Sequence, residues 1–273
     1  MYIKPLVLAL PALGVAASAA ASPYSDAVLA DNPVSYFQFE GDATDSGTGN
    51  NDGTASGSGI TFATTGGFTD GAGNGTGGYV SDNNGTISLG AANAGSSLIA
   101  DLNGASAVTM EGFIDFDSVS SNGAAIGYSG SANFLQLRFS PDFIAAAGRS
   151  DVTDGFQETG FFNGAELLNG KRHFAAVLDY ANDEIRLYID GNEVRSESKT
   201  FNSSTLDLPL NGNPILLGGG QNGNFAGDFD EFAFYDKALT QEQIQNHFNA
   251  VIPEPGSLAL ASLGGLLVLR RRR

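Results

Sequence analysis

The stretch HFAAVLDYANDEIRLYIDGNEVRSESK, residues 173–199, decides the fold class of this chain. It contains three short segments bounded by turn residues, His173–Asp179, Glu184–Asp190 and Glu193–Lys199, and such segments are typical of strands. Asp190-Gly191-Asn192 separates the last two, and an Asp-Gly pair favours a tight hairpin turn. The stretch therefore predicts an antiparallel meander.

Strand patterns continue on both sides of this meander, whereas helical patterns are few. The sequence predicts two helices, Asp26–Ala30 after the cap Ser25 and Ala238–Asn249 with Thr240 and Gln243 as a capping box. Further strands are predicted at Val34–Phe39, Val108–Phe116, Asn133–Phe139, Pro214–Leu217 and Phe225–Tyr235. Many short strands with little helix indicate an all-β sandwich of two antiparallel sheets with a short C-terminal helix. No linker rich in Pro or Ser divides residues 22–250, which we interpret as one domain.

The composition of this domain limits its partners and its chemistry. The end segments hold five of the 13 basic residues and one of the 30 acidic residues, which leaves 8 against 29 and a formal charge of −21. Such a charge repels nucleic acid and anionic lipid, and it suits cations such as calcium, although solubility alone also favours it. The chain has no Cys, which excludes disulfides, thiol chemistry and cysteine-bound metal.

Residues 1–21 have the three-part pattern of a secretory signal peptide. Lys4 is followed by an apolar run and then by small residues that suit signal peptidase, with cleavage expected after Ala21. The alternative is a membrane anchor, but the apolar run is shorter than the roughly 20 residues that span a bilayer. The pattern therefore predicts export.

Residues 251–273 combine a Pro-Glu-Pro motif, an apolar segment and an arginine cluster. Pro253, Glu254 and Pro255 come first, Gly256–Leu269 is predicted to form a separate apolar helix, and the chain ends on Arg270, Arg271, Arg272 and Arg273. The order resembles the PEP-CTERM sorting signal of Gram-negative bacteria, and the alternative is an ordinary tail anchor. The resemblance implies processing by an exosortase, transient membrane association and an extracellular, biofilm-associated location.

The domain itself resembles the laminin-G-like domains, which have the concanavalin A-like jelly-roll fold. Three stretches carry the resemblance: residues 27–54 with Asn32-Pro33-Val34-Ser35-Tyr36-Phe37, residues 173–191, and residues 227–240 with Gly227-Asp228-Phe229-Asp230-Glu231. The family usually has tryptophan where Phe37 and Phe113 stand here, and this chain has no Trp. Phenylalanine can fill the core, but the lack of Trp weakens a proposal of sugar stacking.

The sequence offers little support for catalysis. His173 and His247 have no nucleophile elbow to serve, so we interpret both as packing residues. Gly73-x-Gly75-x-x-Gly78 lacks the strand and helix that a dinucleotide loop needs. Glycosidases of this fold carry paired carboxylates on one strand. Here Asp228 and Asp230 are predicted to share a strand face, with Glu231 on the other, which is the wrong spacing.

Calcium binding is the more plausible chemistry. In relatives, carboxylates of the early Asp-rich turn and of the late strand often lie close together. The resemblance therefore implies Asp42, Asp45 and Asp230 as candidate ligands of a structural Ca²⁺ ion. The alternative is that Asp45 caps its own turn through an Asx-type hydrogen bond.

Three functions remain open on the sequence alone. The first is a non-catalytic binding or adhesion module of the cell surface, which contacts extracellular polysaccharide or an envelope protein through the loops 50–74 or 118–131. The second is a glycan-processing enzyme of the same fold, and the third is a structural matrix protein without a discrete ligand. The absence of the carboxylate pattern favours the first and the third.

Overall fold

The computed structural model describes residues 23–63, 78–82, 85–89, 98–119, 123–128, 134–140, 143–163, 170–210, 213–220 and 223–251. The predicted signal peptide, the sorting motif, the apolar tail helix and most of the Gly-rich loop therefore lie outside the described residues. No helix in the described part of the chain is both long and apolar enough to cross a membrane.

Three helices and 17 strands make up the described structure. The helices are α1 (Pro23–Ala30), α2 (Leu98–Leu102) and α3 (Gln241–Val251). The strands are β1 (Ser35–Phe37), β2 (Thr54–Gly57), β3 (Ile60–Ala63), β4 (Gly78–Asp82), β5 (Gly85–Leu89), β6 (Ala107–Val119), β7 (Gly123–Tyr128), β8 (Leu135–Ser140), β9 (Phe143–Gly148), β10 (Gln157–Glu158), β11 (Phe162–Asn163), β12 (Arg172–Asp179), β13 (Glu184–Ile189), β14 (Asn192–Ser198), β15 (Ile215–Leu217), β16 (Gly219–Gly220) and β17 (Gly223–Tyr235).

These strands form two antiparallel sheets, as the sequence predicts. Sheet I has the order β14-β13-β12-β6-β17-β4-β3, with β1 and β16 also paired to β17. Sheet II has the order β10-β9-β8-β7-β15-β5-β2, with β11 also paired to β9. The two sheets face each other across one large apolar core, to which both contribute alternate residues of their strands.

The predicted hairpin and the predicted capping box are both confirmed. Asp190 and Gly191 have φ angles of 49° and 74°, as a tight turn between β13 and β14 requires. At α3, the Gln243 amide donates to the Thr240 hydroxyl at 3.2 Å and the Thr240 amide donates to Gln243 Oε1 at 3.0 Å. Local turn and cap chemistry therefore acts at both places as the sequence indicates.

The outer faces of the two sheets differ. A second apolar cluster covers the outer face of sheet I, where α1 and α3 lie side by side on residues such as Phe113, Ala175 and Tyr188. The outer face of sheet II has no such helical layer among the described residues. The molecule therefore has one sheet face covered by helices and another on which polar and aromatic side chains are presented.

Candidate functional site

A buried group of titratable side chains lies beneath α3, on the outer face of sheet I. Along β6, Met110 points into the core between the sheets, so Glu111 points outward. On β12, Phe174 points inward and His173 outward in the same way. His247 from α3 closes the group from above and is buried.

Glu111 is the centre of this acid–histidine cluster. His247 Nδ1 lies 2.8 Å from Glu111 Oε1, and the Tyr235 hydroxyl donates to the same oxygen at 2.6 Å. His173 Nε2 lies 3.4 Å from Glu111 Oε2. The second ring nitrogen of His247, Nε2, lies 3.0 Å from Asp31 Oδ2 at the end of α1. The imidazole of His247 therefore joins two carboxylates from different elements.

The pKa values of Glu111 and His247 are shifted in the directions that favour a carboxylate beside an imidazolium. Burial raises the pKa of Glu111, but the charge of His247 and the hydrogen bonds from His173 and His247 outweigh it, so the net pKa is well below its usual range. Burial lowers the pKa of His247, but Glu111 and Asp31 outweigh it, so the net pKa is raised. Burial also raises the pKa of Tyr235, with Glu111 adding to the effect. These charges stabilise each other inside the protein.

This cluster has a structural role. The side chains of Glu111 and His173 are 0% exposed and that of His247 is 2% exposed, so no substrate reaches them in this conformation. Asp31 also accepts from Gln243 Nε2 at 2.7 Å, and its carbonyl accepts from Lys237 Nζ at 2.6 Å. The network therefore ties α1, α3 and sheet I together, which agrees with the interpretation of both histidines as packing residues.

The late acidic motif corrects one expectation from the sequence. Asp230 pairs with Phe113 and Ala233 with Glu111, so β17 holds one extra residue here and bulges. Glu231 has a φ of 56° within this bulge, and the Tyr36 hydroxyl donates to its carboxylate. Burial is the main cause of the raised pKa values of Tyr24 and Tyr36, and the charges of Asp230 and Glu231 add to the effect. Phe229 and Phe232, on either side, both point into the core between the sheets, so Asp230 and Glu231 both lie on the outward side, and the prediction of opposite faces was wrong because strict alternation ignores a bulge.

The early acidic turn is organised by its own backbone. Asp45 Oδ1 accepts from the amides of Tyr36 at 2.8 Å and Gly47 at 2.7 Å, and Oδ2 accepts from the Asn51 amide at 2.7 Å. Asp42 Oδ1 accepts from the Thr44 amide at 2.9 Å, which lowers the pKa of Asp42 together with the Thr44 side chain. The Asx-type bond expected as the alternative for Asp45 is thus present.

The predicted calcium ligands are not brought together as one group. Asp42 and Asp45 accept hydrogen bonds from backbone amides of the early turn and of β1, whereas Asp230 lies on β17, where it pairs with Phe113. Within the described residues, no three or more His, Asp or Glu side chains are arranged to hold a metal ion. Calcium binding by Asp42, Asp45 and Asp230 stays a prediction.

A different group of side chains lies on the outer face of sheet II. Leu137 and Phe139 of β8 point into the core, so Arg138 between them points outward. On β9, Ile144 points into the core, so Phe143 points outward. With Phe156, Glu158 and Phe161 from the segment that follows β9, these residues form what we name the Arg–Phe surface: Arg138, Phe143, Phe156, Glu158 and Phe161.

The Arg–Phe surface is a continuous run of ring and guanidinium contacts. The Arg138 guanidinium lies 5.7 Å from the ring centre of Phe143 and 5.5 Å from that of Phe156. Arg138 Nη1 also lies 2.5 Å from Glu158 Oε2. The rings of Phe143 and Phe161 are 4.1 Å apart between their centres, at an interplanar angle of 35°. Phe161 is 53% exposed, so its ring faces solvent while the Phe143 ring supports it from the protein side.

Two further arginines flank the surface. The Arg149 guanidinium lies 5.8 Å from the Phe156 ring centre, and its Nη1 donates to the Asp154 carbonyl at 2.8 Å. Arg195 Nη2, from β14 of sheet I, donates to the Phe161 carbonyl at 2.9 Å. These contacts hold Phe156 and Phe161 from both ends of the surface.

Sequence reasoning missed this surface. Phe143, Phe156 and Phe161 fall in a stretch for which no strand was predicted, and β9 is mostly small residues that give a weak alternation. The available signal was a concentration of Phe and Arg between residues 138 and 162. The loops predicted to bind a ligand are only partly described, since residues 64–77, 120–122 and 129–133 lie outside the described structure.

The sandwich and its helix-covered sheet define a lectin-like β protein. Residues 82–245 match the Laminin_G_3 family of the concanavalin A-like lectin/glucanases superfamily, and the chain belongs to this family. No curated protein matches the sequence significantly.

Solved structures share the fold at low sequence identity. The binding domain of botulinum neurotoxin DC in complex with SialylT has a TM-score of 0.60 at 11% identity, over 81% of this chain and 52% of that chain. The same domain in complex with rat synaptotagmin II has a TM-score of 0.58 at 11% identity, over 81% and 52%. This chain thus spans about half the length of those toxin chains.

A smaller relative matches over nearly its whole length. Domain 4 of AbnA, an extracellular arabinanase of glycoside hydrolase family 43 from Geobacillus stearothermophilus, in complex with arabinotriose, has a TM-score of 0.51 at 17% identity. The alignment covers 79% of this chain and 98% of that one. These structures are similar in fold to this chain, and fold alone does not transfer a ligand.

Proposed function

We propose that this protein is an exported, non-catalytic binding module that takes a glycan at the Arg–Phe surface. The observation that carries the proposal is the exposed ring of Phe161, held against Phe143 and flanked by the Arg138–Glu158 pair. An aromatic face supports the apolar face of a sugar ring, while a nearby guanidinium and carboxylate offer a donor and an acceptor for its hydroxyls.

The neighbouring folds add support at the level of the class. A domain of an arabinanase in complex with arabinotriose and a toxin binding domain in complex with SialylT or with rat synaptotagmin II share this architecture. None of these ligands is assigned to this chain by that likeness. Asp230 and Glu231 are buried at 2% exposure each, so a ligand at the protein surface does not contact them.

A glycan array tests the proposal. We expect the full domain to bind a subset of glycans, and Phe161→Ala to weaken that binding roughly tenfold, through loss of about 1 kcal/mol or slightly more of ring contact. Leu29→Ala is the matched control, because Leu29 is another exposed apolar residue, at 39%, but lies on α1. Release of reducing sugar from a bound glycan would instead show an enzyme, binding only to envelope protein would show a protein module, and no binding at all would favour a matrix protein.

Export and sorting of the protein to the cell surface are part of the same proposal. Residues 1–21 carry the signal peptide pattern, and Pro253, Glu254, Pro255 and Arg270–Arg273 carry the sorting pattern. We expect signal peptidase and an exosortase to process the two ends, so that the domain reaches the cell surface or the extracellular matrix of a Gram-negative bacterium. Glu254→Ala should leave an unprocessed, membrane-associated form in cell fractionation, and normal processing of that variant would contradict the sorting role.

A further inference from the structure

The three arginines at and beside the Arg–Phe surface are unusual in so acidic a domain. Residues 22–250 contain eight basic residues in all, and Arg138, Arg149 and Arg195 are three of them. A cluster of arginines commonly signals an anionic ligand, since guanidinium binds carboxylate and phosphate well. The contacts of these three side chains argue for a different conclusion here.

Each guanidinium already has partners within the protein. Arg138 pairs with Glu158 at 2.5 Å, and its side chain is only 16% exposed. Arg149 donates to the Asp154 carbonyl at 2.8 Å, and Arg195 donates to the carbonyls of Phe161 at 2.9 Å and Val194 at 3.0 Å. Their flat faces lie over phenylalanine rings. These contacts hold the arginines against the rings, and Glu158 competes with a carboxylate of a ligand for the Arg138 guanidinium.

The wider field of the protein acts in the same direction. The formal charge of −21 on residues 22–250 repels a polyanion before it reaches any short-range contact. At the surface itself, the charge of Glu158 balances that of Arg138. The Asp154 carboxylate accepts from Ser150, the residue after Arg149. The side chains of Glu197 and Arg195 both lie near Gly160. The most exposed member of the surface is the uncharged ring of Phe161, at 53%, and the anionic Glu158 side chain is 32% exposed, whereas that of Arg138 is 16% exposed.

We infer that the ligand of the Arg–Phe surface is an uncharged polysaccharide and that the surface discriminates against uronic-acid polymers. This inference rests on the proposed function and specifies its ligand class. The Phe161 ring, supported by Phe143, stacks against the C–H face of a neutral sugar, and the Arg138–Glu158 pair exchanges hydrogen bonds with neighbouring hydroxyls. No net charge has to be neutralised on binding, so the affinity depends little on salt.

The test compares neutral and acidic chains of matched length. Galactose oligosaccharides and galacturonic-acid oligosaccharides serve as one pair, and glucose and glucuronic-acid oligosaccharides as another, with binding measured by calorimetry at low and high NaCl. We expect at least about tenfold tighter binding of the neutral member of the pair that binds, with less than about a twofold change in its affinity as salt is raised. Phe161→Ala should weaken the neutral chain by about tenfold.

Glu158→Gln sharpens the test, because it removes the carboxylate that balances Arg138 and leaves the rings in place. We expect this variant to gain measurable, salt-sensitive binding to the acidic chain, while circular dichroism shows an unchanged fold. Equal or tighter binding of the acidic chain by the unaltered domain would overturn the inference and leave the proposed glycan-binding function standing. Absence of binding to both members of both pairs, and to the glycan array, would overturn the proposed function itself.

Discussion

His247 shows how one side chain holds the terminal helix of the domain. Its two ring nitrogens lie 2.8 Å from Glu111 and 3.0 Å from Asp31, and its side chain is 2% exposed. A buried charge without its partner is far less stable than the pair. The contacts of His247 therefore tie α3 to β6 and to the end of α1.

The stability contributed by His247 should fall as pH rises. After burial, Glu111 and Asp31 leave the pKa of His247 raised in the folded protein, whereas the unfolded value is about 6.5. The contribution is thus complete below about pH 6.5 and is lost as pH rises through the folded pKa, because the folded state binds the extra proton. We expect His247→Gln to lower the free energy of unfolding by about 3 kcal/mol at or below that pH, and by less at about pH 9. Urea unfolding at the two pH values measures the difference.

The control for this measurement is Asn246→Ala on the exposed side of the same helix. It should change the free energy of unfolding by less than about 0.5 kcal/mol at every pH. If His247→Gln and the unaltered protein lost stability in parallel between about pH 6 and pH 9, the proton on His247 would not contribute to folding.

Asp45 acts at the same scale in the early turn. Asp45→Ala leaves the amides of Tyr36, Gly47 and Asn51 without their acceptor, and we expect a loss of about 3 kcal/mol in the free energy of unfolding. Asp45→Asn keeps one acceptor oxygen, so its free energy of unfolding should lie between those of the unaltered protein and Asp45→Ala. Asp42→Ala, which removes a single bond to the Thr44 amide on an exposed residue, should cost least. A different order in chemical denaturation would show that the turn does not depend on Asp45.

At the scale of an element, β9 combines close packing with the presentation of Phe143. Its core side carries Ile144 and Ala146, and the strand pairs antiparallel with β8 along its whole length. Gly148 ends the strand where a Cβ atom would stand 2.0 Å from the Phe134 carbonyl oxygen and 2.3 Å from Leu178 Cδ2. That carbonyl also accepts from the Arg149 amide at 3.0 Å. Only glycine leaves room for this arrangement.

Gly148→Ala should therefore destabilise the domain. We expect a loss of about 1–3 kcal/mol, because the added methyl group must push apart a backbone carbonyl and a core side chain. Gly155→Ala is the matched control, since the nearest atom to its Cβ would be Gln157 Nε2 at 3.7 Å. The comparison is made by thermal unfolding, and equal midpoints for the two variants would show that Gly148 is not required by packing.

For the molecule as a whole, charge is the dominant feature. The formal charge of −21 on residues 22–250 opposes the compact state through self-repulsion. The acid–histidine cluster and the arginines that lie over phenylalanine rings place positive charge locally within this negative field. Screening should therefore stabilise the protein without any specific ion.

Raising NaCl from about 0.01 M to about 0.1 M shortens the screening length from about 30 Å to about 10 Å, and we expect the midpoint of thermal unfolding to rise. CaCl₂ at the same ionic strength separates screening from a bound ion. A larger rise that a chelator reverses would support the predicted calcium site. An unchanged midpoint with and without chelator would contradict it and leave screening as the only effect.

The sequence by itself determined the sandwich, the meander of residues 173–199, the hairpin at Asp190-Gly191 and the cap of α3. These features depend on alternation, turn chemistry and capping, which act within a few residues. It also predicts a signal peptide and a sorting signal at the two ends of the chain, which lie outside the described residues. Only the tertiary structure decided the partners of Glu111, the shared side of Asp230 and Glu231, and the Arg–Phe surface. Those features depend on a bulge and on contacts between residues far apart in the chain, and no local pattern records either.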